Sequence, residues 1–83
     1  MNMYIPKHLG NKLRELRLSL GWTQDEMATA LGRVEKSRRS RVYEWETSSR
    51  IPSLGILLRY SKIFNVPTDD LLDDKKKLDL SED

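Results

Sequence analysis

Residues 20–27 read LGWTQDEM, a helix end and a helix start only two positions apart. Gly21 is the residue type that closes a helix at C′, where the backbone turns left-handed. Thr23 followed three residues later by Glu26 is a capping box, and Trp22 stands where it can staple onto Met27. Two helices meeting across a tight corner are therefore the first constraint on the fold. Ahead of the corner, Leu9, Leu13, Leu16 and Leu20 recur at i, i+4, i+7 and i+11, one apolar stripe on an amphipathic helix. Leu18 falls off that stripe. Beyond the corner, Met27, Ala28 and Leu31 make the buried face of a second helix, and Gly32 stops it. That helix runs about eight to ten residues, too short to persist in water without tertiary packing.

The rest of the chain continues in short helical pieces. Residues 33–41, RVEKSRRSR, carry Val34 as their only apolar side chain. Val42 and Trp45 then form a narrow stripe for a third helix, expected around 37–47. Residues 47–51 read as a loop before Pro52. Ser53 caps a fourth helix bearing Leu54, Leu57, Leu58, Ser61 and Phe64, with Tyr60 beside them. Asn65-Val66-Pro67 breaks that helix, and Thr68 can cap a last turn through Leu71 and Leu72. No strand signal and no internal repeat occurs. The expectation is an all-α fold, a compact bundle of four to five short helices over 8–72. Pro6 makes 1–7 an arm, and 73–83 is a charged, aperiodic tail expected to be frayed or disordered.

Charge is divided unevenly. Residues 1–62 hold twelve Lys/Arg against six Asp/Glu, whereas 63–83 hold three against seven. A basic body of net +6 and an acidic end of net −4 point to an anionic partner for the body. The chain has no cysteine, which excludes disulfides and cysteine-ligated zinc. No apolar run approaches the ~20 residues of a membrane span, so no membrane association and a cytoplasmic location are expected. Catalysis is not expected either. The lone His8 lacks partners at metal-ligand spacing, so neither a metal nor another cofactor is anticipated. The carboxylates of Asp69, Asp70, Asp73 and Asp74 have no apolar surroundings to tune them for acid–base work. The four glycines are too dispersed for a phosphate loop.

The arginine-rich stretch carries more information. Arg33, Lys36, Arg38, Arg39, Arg41 and Arg50 fall within eighteen residues, against Glu35, Glu44 and Glu46. If Val42 and Trp45 face inward, Ser40, Tyr43, Glu44 and Thr47 point outward and Arg38 and Arg41 flank them, with Arg39 between. A helix that buries one narrow side and presents a polar, arginine-led other side suits the DNA major groove. Flank arginines then meet phosphates, and side chains near the helix start reach base edges. A solvated arginine-rich turn would have the same composition.

The stretch from Leu9 to Leu72 resembles the Cro/CI-type (lambda-repressor-like, XRE) helix-turn-helix family. The resemblance is carried by LRELRLSLGWTQDEMATALG, VYEWE, RIPS and LLRYSKIFNVPTDDLL, in that order. It implies a lambda-repressor-like DNA-binding domain in which Thr23 and Gln24 open the first helix of the motif, the glutamine gripping a phosphate with the helix N-terminus. It implies that Arg17 and Glu46 pair, locking the first helix to the third. Arg39, Ser40 and Glu44 match positions that meet bases, and Thr47, Ser48 and Arg50 match a loop that touches backbone. Glu44 can accept from cytosine N4 or bridge back to Arg41. Two features depart from the pattern. Relatives place this anchor about six residues after the glycine, whereas Val42 stands ten after Gly32, so an insert of about four residues, roughly one helical turn, falls within RVEKSRRS. As helix it would lengthen the third helix by ~6 Å; as irregular chain it would make an extended basic turn between helices 2 and 3. Ser48 also replaces the glycine common at that turn, raising the prospect of backbone strain or a different turn.

The function implied is a sequence-specific transcriptional regulator of double-stranded DNA, acting as a homodimer on a palindromic operator. Its dimer contacts are expected from Leu54–Leu72. The alternative is an antitoxin or anti-regulator of the same fold, whose main partner is another protein such as a toxin or a second regulator.

Overall fold

The computed structural model describes residues 6–78, and these contain five helices and no strand: α1 (Leu9–Ser19), α2 (Gln24–Ala30), α3 (Arg38–Glu46), α4 (Leu54–Phe64) and α5 (Thr68–Leu72). The corner at 20–27 forms as the residue types dictate. Gly21 takes φ 70°, its N–H donates to Leu18 O at 3.0 Å, and the next N–H, of Trp22, reaches Arg17 O at 3.3 Å. This pair of bonds is a Schellman closure. Glu26 N then donates to Thr23 Oγ1 at 3.1 Å while Thr23 N donates to Glu26 Oε1 at 2.8 Å, completing the capping box. Gly32, at φ 81°, ends α2 in the same way, with Arg33 N donating to Ala28 O at 3.0 Å. Both ends of the seven-residue α2 are therefore specified locally.

The core gathers Leu9, Leu13 and Leu16 of α1, Met27 and Ala28 of α2, Leu31, Val42 and Trp45 of α3, Ile56, Leu57 and Tyr60 of α4, and Leu71 of α5. Burying each of the larger apolar side chains is worth roughly 1.5–3 kcal/mol. Two details differ from the periodicity. Leu20, expected on the buried stripe, is half-exposed, because α1 stops at Ser19 and the Gly21 turn carries the chain away. Leu18 is exposed as well. On α4 the buried face is Ile56, Leu57 and Tyr60, with Phe64 partly covered, whereas Leu54 and Leu58 face outward. Apolar residues at 54, 56, 57 and 58 mark two overlapping faces, and packing selects the one that seats the Tyr60 ring. Thr68 is the first residue of α5 rather than its side-chain cap; Pro67 occupies the cap position.

Residues 73–78, assigned by their composition to a frayed tail, return to α1 instead. The Asp74 carboxylate accepts the backbone N–H of Lys7 at 3.0 Å and of His8 at 3.1 Å, immediately before α1. The Lys12 ammonium, on a buried residue of α1, donates to the carbonyls of Asp70 at 2.6 Å and Asp73 at 2.8 Å. A cation on the end carbonyls of α5 satisfies acceptors that the helix leaves open. Leu78 packs against the core. These partners lie about sixty positions away in sequence, which is why composition could not reveal them. The arm and tail readings for 1–5 and 79–83 lie outside the described residues.

Candidate nucleic-acid interface

The third helix is held from below before it presents anything above. Val42 and Trp45 enter the core, and α3 packs chiefly on α2 and α1. Glu46, at its last turn, receives Arg17 of α1 through both carboxylate oxygens, Nε to Oε2 at 2.7 Å and Nη2 to Oε1 at 3.0 Å. Both residues are buried, at 8% and 5% exposure. Arg17 Nη1 also donates to Trp22 O at 2.8 Å, and Gln24 Nε2 donates to Glu46 Oε1 at 3.3 Å. One carboxylate thus ties α1, the Gly21 corner and the start of α2 to α3. The hydrogen bond that it donates to Glu46 holds the Arg17 guanidinium above its ordinary pKa, against an opposing desolvation. Tyr60 lies close enough to feel both charges, and burial pushes its phenol well above the ordinary value. Gly10 allows the close approach of α1. A Cβ there would stand 2.6 Å from Glu46 O and 2.8 Å from Ser48 Oγ.

On the opposite side α3 is polar. Arg39, Ser40, Tyr43 and Thr47 are exposed, and Arg38, Arg41 and Glu44 are half-buried along the edges. The helix begins at Arg38, close to the expected boundary, so the inserted turn is divided. Residues 33–37 form an irregular connection and 38–40 join the helix. The irregular part is fastened by Arg33 Nε to Glu35 Oε1 at 2.7 Å, Val34 N to Glu35 Oε2 at 3.2 Å, and Arg38 N to Glu35 O at 3.1 Å. Backbone hydrogen bonding, with its own N–H foremost, and the Arg33 guanidinium hold the Glu35 carboxyl below its ordinary pKa. Arg33 also lies over the Trp45 ring, 5.9 Å from its centroid, a favourable cation–π placement.

Most of the arginines of this face are paired. Arg38 Nε donates to Asp25 Oδ1 of α2 at 3.0 Å. Glu44 takes Arg41 on Oε1 and Arg50 on Oε2, each at 3.3 Å, so the bridge back to Arg41 is formed and extends to a second arginine. Lys36 and Arg39 have no ion-pair partner among the described residues. After the helix, Thr47 Oγ1 donates back to Tyr43 O at 2.9 Å. Ser48 takes φ 64°, the left-handed conformation that glycine adopts without strain. The turn lets Ser49 N and Arg50 N donate to Glu44 O, at 2.9 and 3.3 Å. At the other end of the motif, Thr23 is occupied in its capping box and Gln24 in its bond to Glu46.

Sequence reasoning missed Asp25 and Arg59 as contributors here. Asp25 braces α3, and Arg59 Nη1 donates to Leu31 O, holding α4 to the end of α2 beneath the inserted connection. The Arg33–Glu35 pair, two residues apart, was open to a local reading. The Asp25–Arg38 and Arg59–Leu31 contacts carry no local signal.

A short helix capped on a preceding one, buried on a single narrow side and polar on the other, defines a helix-turn-helix nucleic-acid-binding domain. Residues 13–71 match the family model described as helix-turn-helix. The chain belongs to that family, in its XRE, Cro/CI-like form, and so is a DNA-binding transcription regulator in the general sense. Comparison with curated proteins and with solved structures gave no match. Among the described residues no helix is long and apolar enough to cross a membrane.

Proposed function

We propose that this protein is a sequence-specific regulator that binds a palindromic operator as a homodimer, with α3 in the major groove of each half-site. The observation that carries this reading is the division of α3. Val42 and Trp45 are buried while Arg39, Ser40 and Tyr43 stand out to solvent. Arg39, Ser40 and Tyr43 face base edges, and Lys36, Arg38 and Arg41 approach phosphates on the flanks. Thr47, Ser48 and Arg50 lie against the backbone beyond the helix. At the start of α2, Thr23 and Gln24 face the other strand; the Gln24 amide keeps one N–H for a phosphate after donating the other to Glu46.

One such motif buries too little surface to specify a site, and two half-sites about 34 Å apart along the duplex supply the remainder. The outward Leu54 and Leu58 of α4, at 66% and 45% exposure, support a contact between two copies. A titration of selected and random duplexes at several salt concentrations tests the reading. A preference of about 10³-fold or more for the selected site is expected, together with a salt-dependent phosphate component. Equal affinity for every sequence would exclude a specific regulator.

A further inference from the structure

We infer that Glu44 restrains binding to non-operator DNA by holding Arg41 and Arg50 away from phosphates, and thereby sets the specificity of the interface. The inference rests on the DNA-binding reading of α3 given above and deepens it.

The geometry is that of a two-sided clamp. One carboxylate oxygen of Glu44 takes the Arg41 guanidinium from one turn back on α3, and the other takes Arg50 from the loop beyond, each at 3.3 Å. The second contact is built by the fold. The left-handed Ser48 reverses the chain, and the backbone N–H groups of Ser49 and Arg50 close on the Glu44 carbonyl. Main chain and side chain of Arg50 thus converge on one residue. The Glu44 side chain is only 29% exposed, whereas Arg50 is 53% exposed, so the arginine can leave more easily than the carboxylate can.

A phosphate seeks the same guanidinium groups. When Arg41 and Arg50 turn to the DNA backbone, two ion pairs are lost and an unneutralised carboxylate is left facing a polyanion. Two exposed pairs correspond to roughly a 2- to 30-fold reduction in affinity. Only certain sequences offset that loss, because the major groove offers a carboxylate just two base donors, cytosine N4 and adenine N6. A duplex lacking such a donor at this position bears the full cost. Discrimination then arises from a group whose resting partners belong to the protein itself.

The test is a double-mutant cycle on the full chain, with helicity checked by circular dichroism and binding measured at low salt. Glu44→Gln keeps the shape and removes the charge. It is expected to tighten binding to a random duplex by about 2- to 30-fold, to steepen its salt slope by up to about two, and to lower the ratio of operator to random affinity. In an Arg41→Gln/Arg50→Gln background the same change is expected to tighten random binding by clearly less, because only the repulsion of the bare carboxylate is then relieved. An equal gain in both backgrounds would mean that Glu44 acts by simple charge repulsion, and the inference would fail. Unaltered random binding in Glu44→Gln would overturn it as well. If the unmutated protein bound no duplex, the DNA-binding reading itself would fall, and the inference with it.

Discussion

Two arginine–carboxylate clusters sit on opposite sides of α3, built from the same chemistry at different depths. Below, Arg17 and Glu46 are buried, share two hydrogen bonds at 2.7 and 3.0 Å, and face α1 and α2. Above, Glu44 holds Arg41 and Arg50 with single, longer contacts at the edge of solvent. Depth decides what each can do. A buried pair has no water to replace a missing partner, so its loss strands a charge in the interior. An exposed pair is worth little on its own and exchanges readily for another anion. The lower cluster therefore fixes where the helix points, and the upper one remains free to respond to what the helix meets.

The largest effect that would break this contrast is on stability. Glu46→Ala leaves Arg17 buried without its carboxylate and is expected to cost about 3–5 kcal/mol, read as a lower urea midpoint. A loss no greater than that of an exposed pair would remove the distinction between the clusters. Next comes binding. Arg39→Ala combined with Arg41→Ala should weaken operator binding by at least about tenfold while the circular dichroism spectrum stays helical. Unchanged affinity would move the interface elsewhere.

Tyr60 sharpens the lower side. Its hydroxyl is buried with no hydrogen-bond partner among the described residues, so Tyr60→Phe is expected to stabilise the fold at neutral pH by about 1 kcal/mol. The phenol also titrates higher in the folded chain than in the unfolded one, because burial disfavours the phenolate. Above pH ~10 the unfolded chain gives up that proton while the folded chain keeps it. Stability of the unmutated protein should therefore fall as pH rises past that point, and Tyr60→Phe should flatten the fall. Identical alkaline profiles would refute the placement of Tyr60. The smallest effect is expected from Asp25→Asn, which cuts the exposed pair to Arg38. A change of less than about 1 kcal/mol is predicted; a larger one would mean that the inserted connection depends on this pair.

Legibility in the sequence followed the range of the interactions. The corner at Gly21 and the Thr23–Glu26 box involve neighbours, and the residue types alone specify them. The stripe Leu9, Leu13 and Leu16 was legible, but its continuation to Leu20 was not, because a C-terminal glycine turn overrides periodicity in the last turn. On α4 the pattern allowed two faces, and only the packing of Tyr60 chose between them. At the candidate site, the inward placement of Val42 and Trp45 followed from spacing. The Arg41–Glu44 bridge was open from its spacing on the helix and Arg33–Glu35 from its nearness in sequence. The pairs of Arg38 with Asp25 and of Arg50 with Glu44 were not, since a basic run in a sequence reads as free charge until its partners are placed. The tail was the plainest case, since Asp74 and Lys12 find partners only through the folded chain.

The most direct test is selection of binding sites from a pool of random duplexes by the 83-residue chain. Enrichment of a palindrome whose half-sites are centred about 10–10.5 base pairs apart is expected, with the enrichment lost in Arg39→Ala/Arg41→Ala. A pool that emerges without a common sequence would contradict the claim that α3 reads DNA.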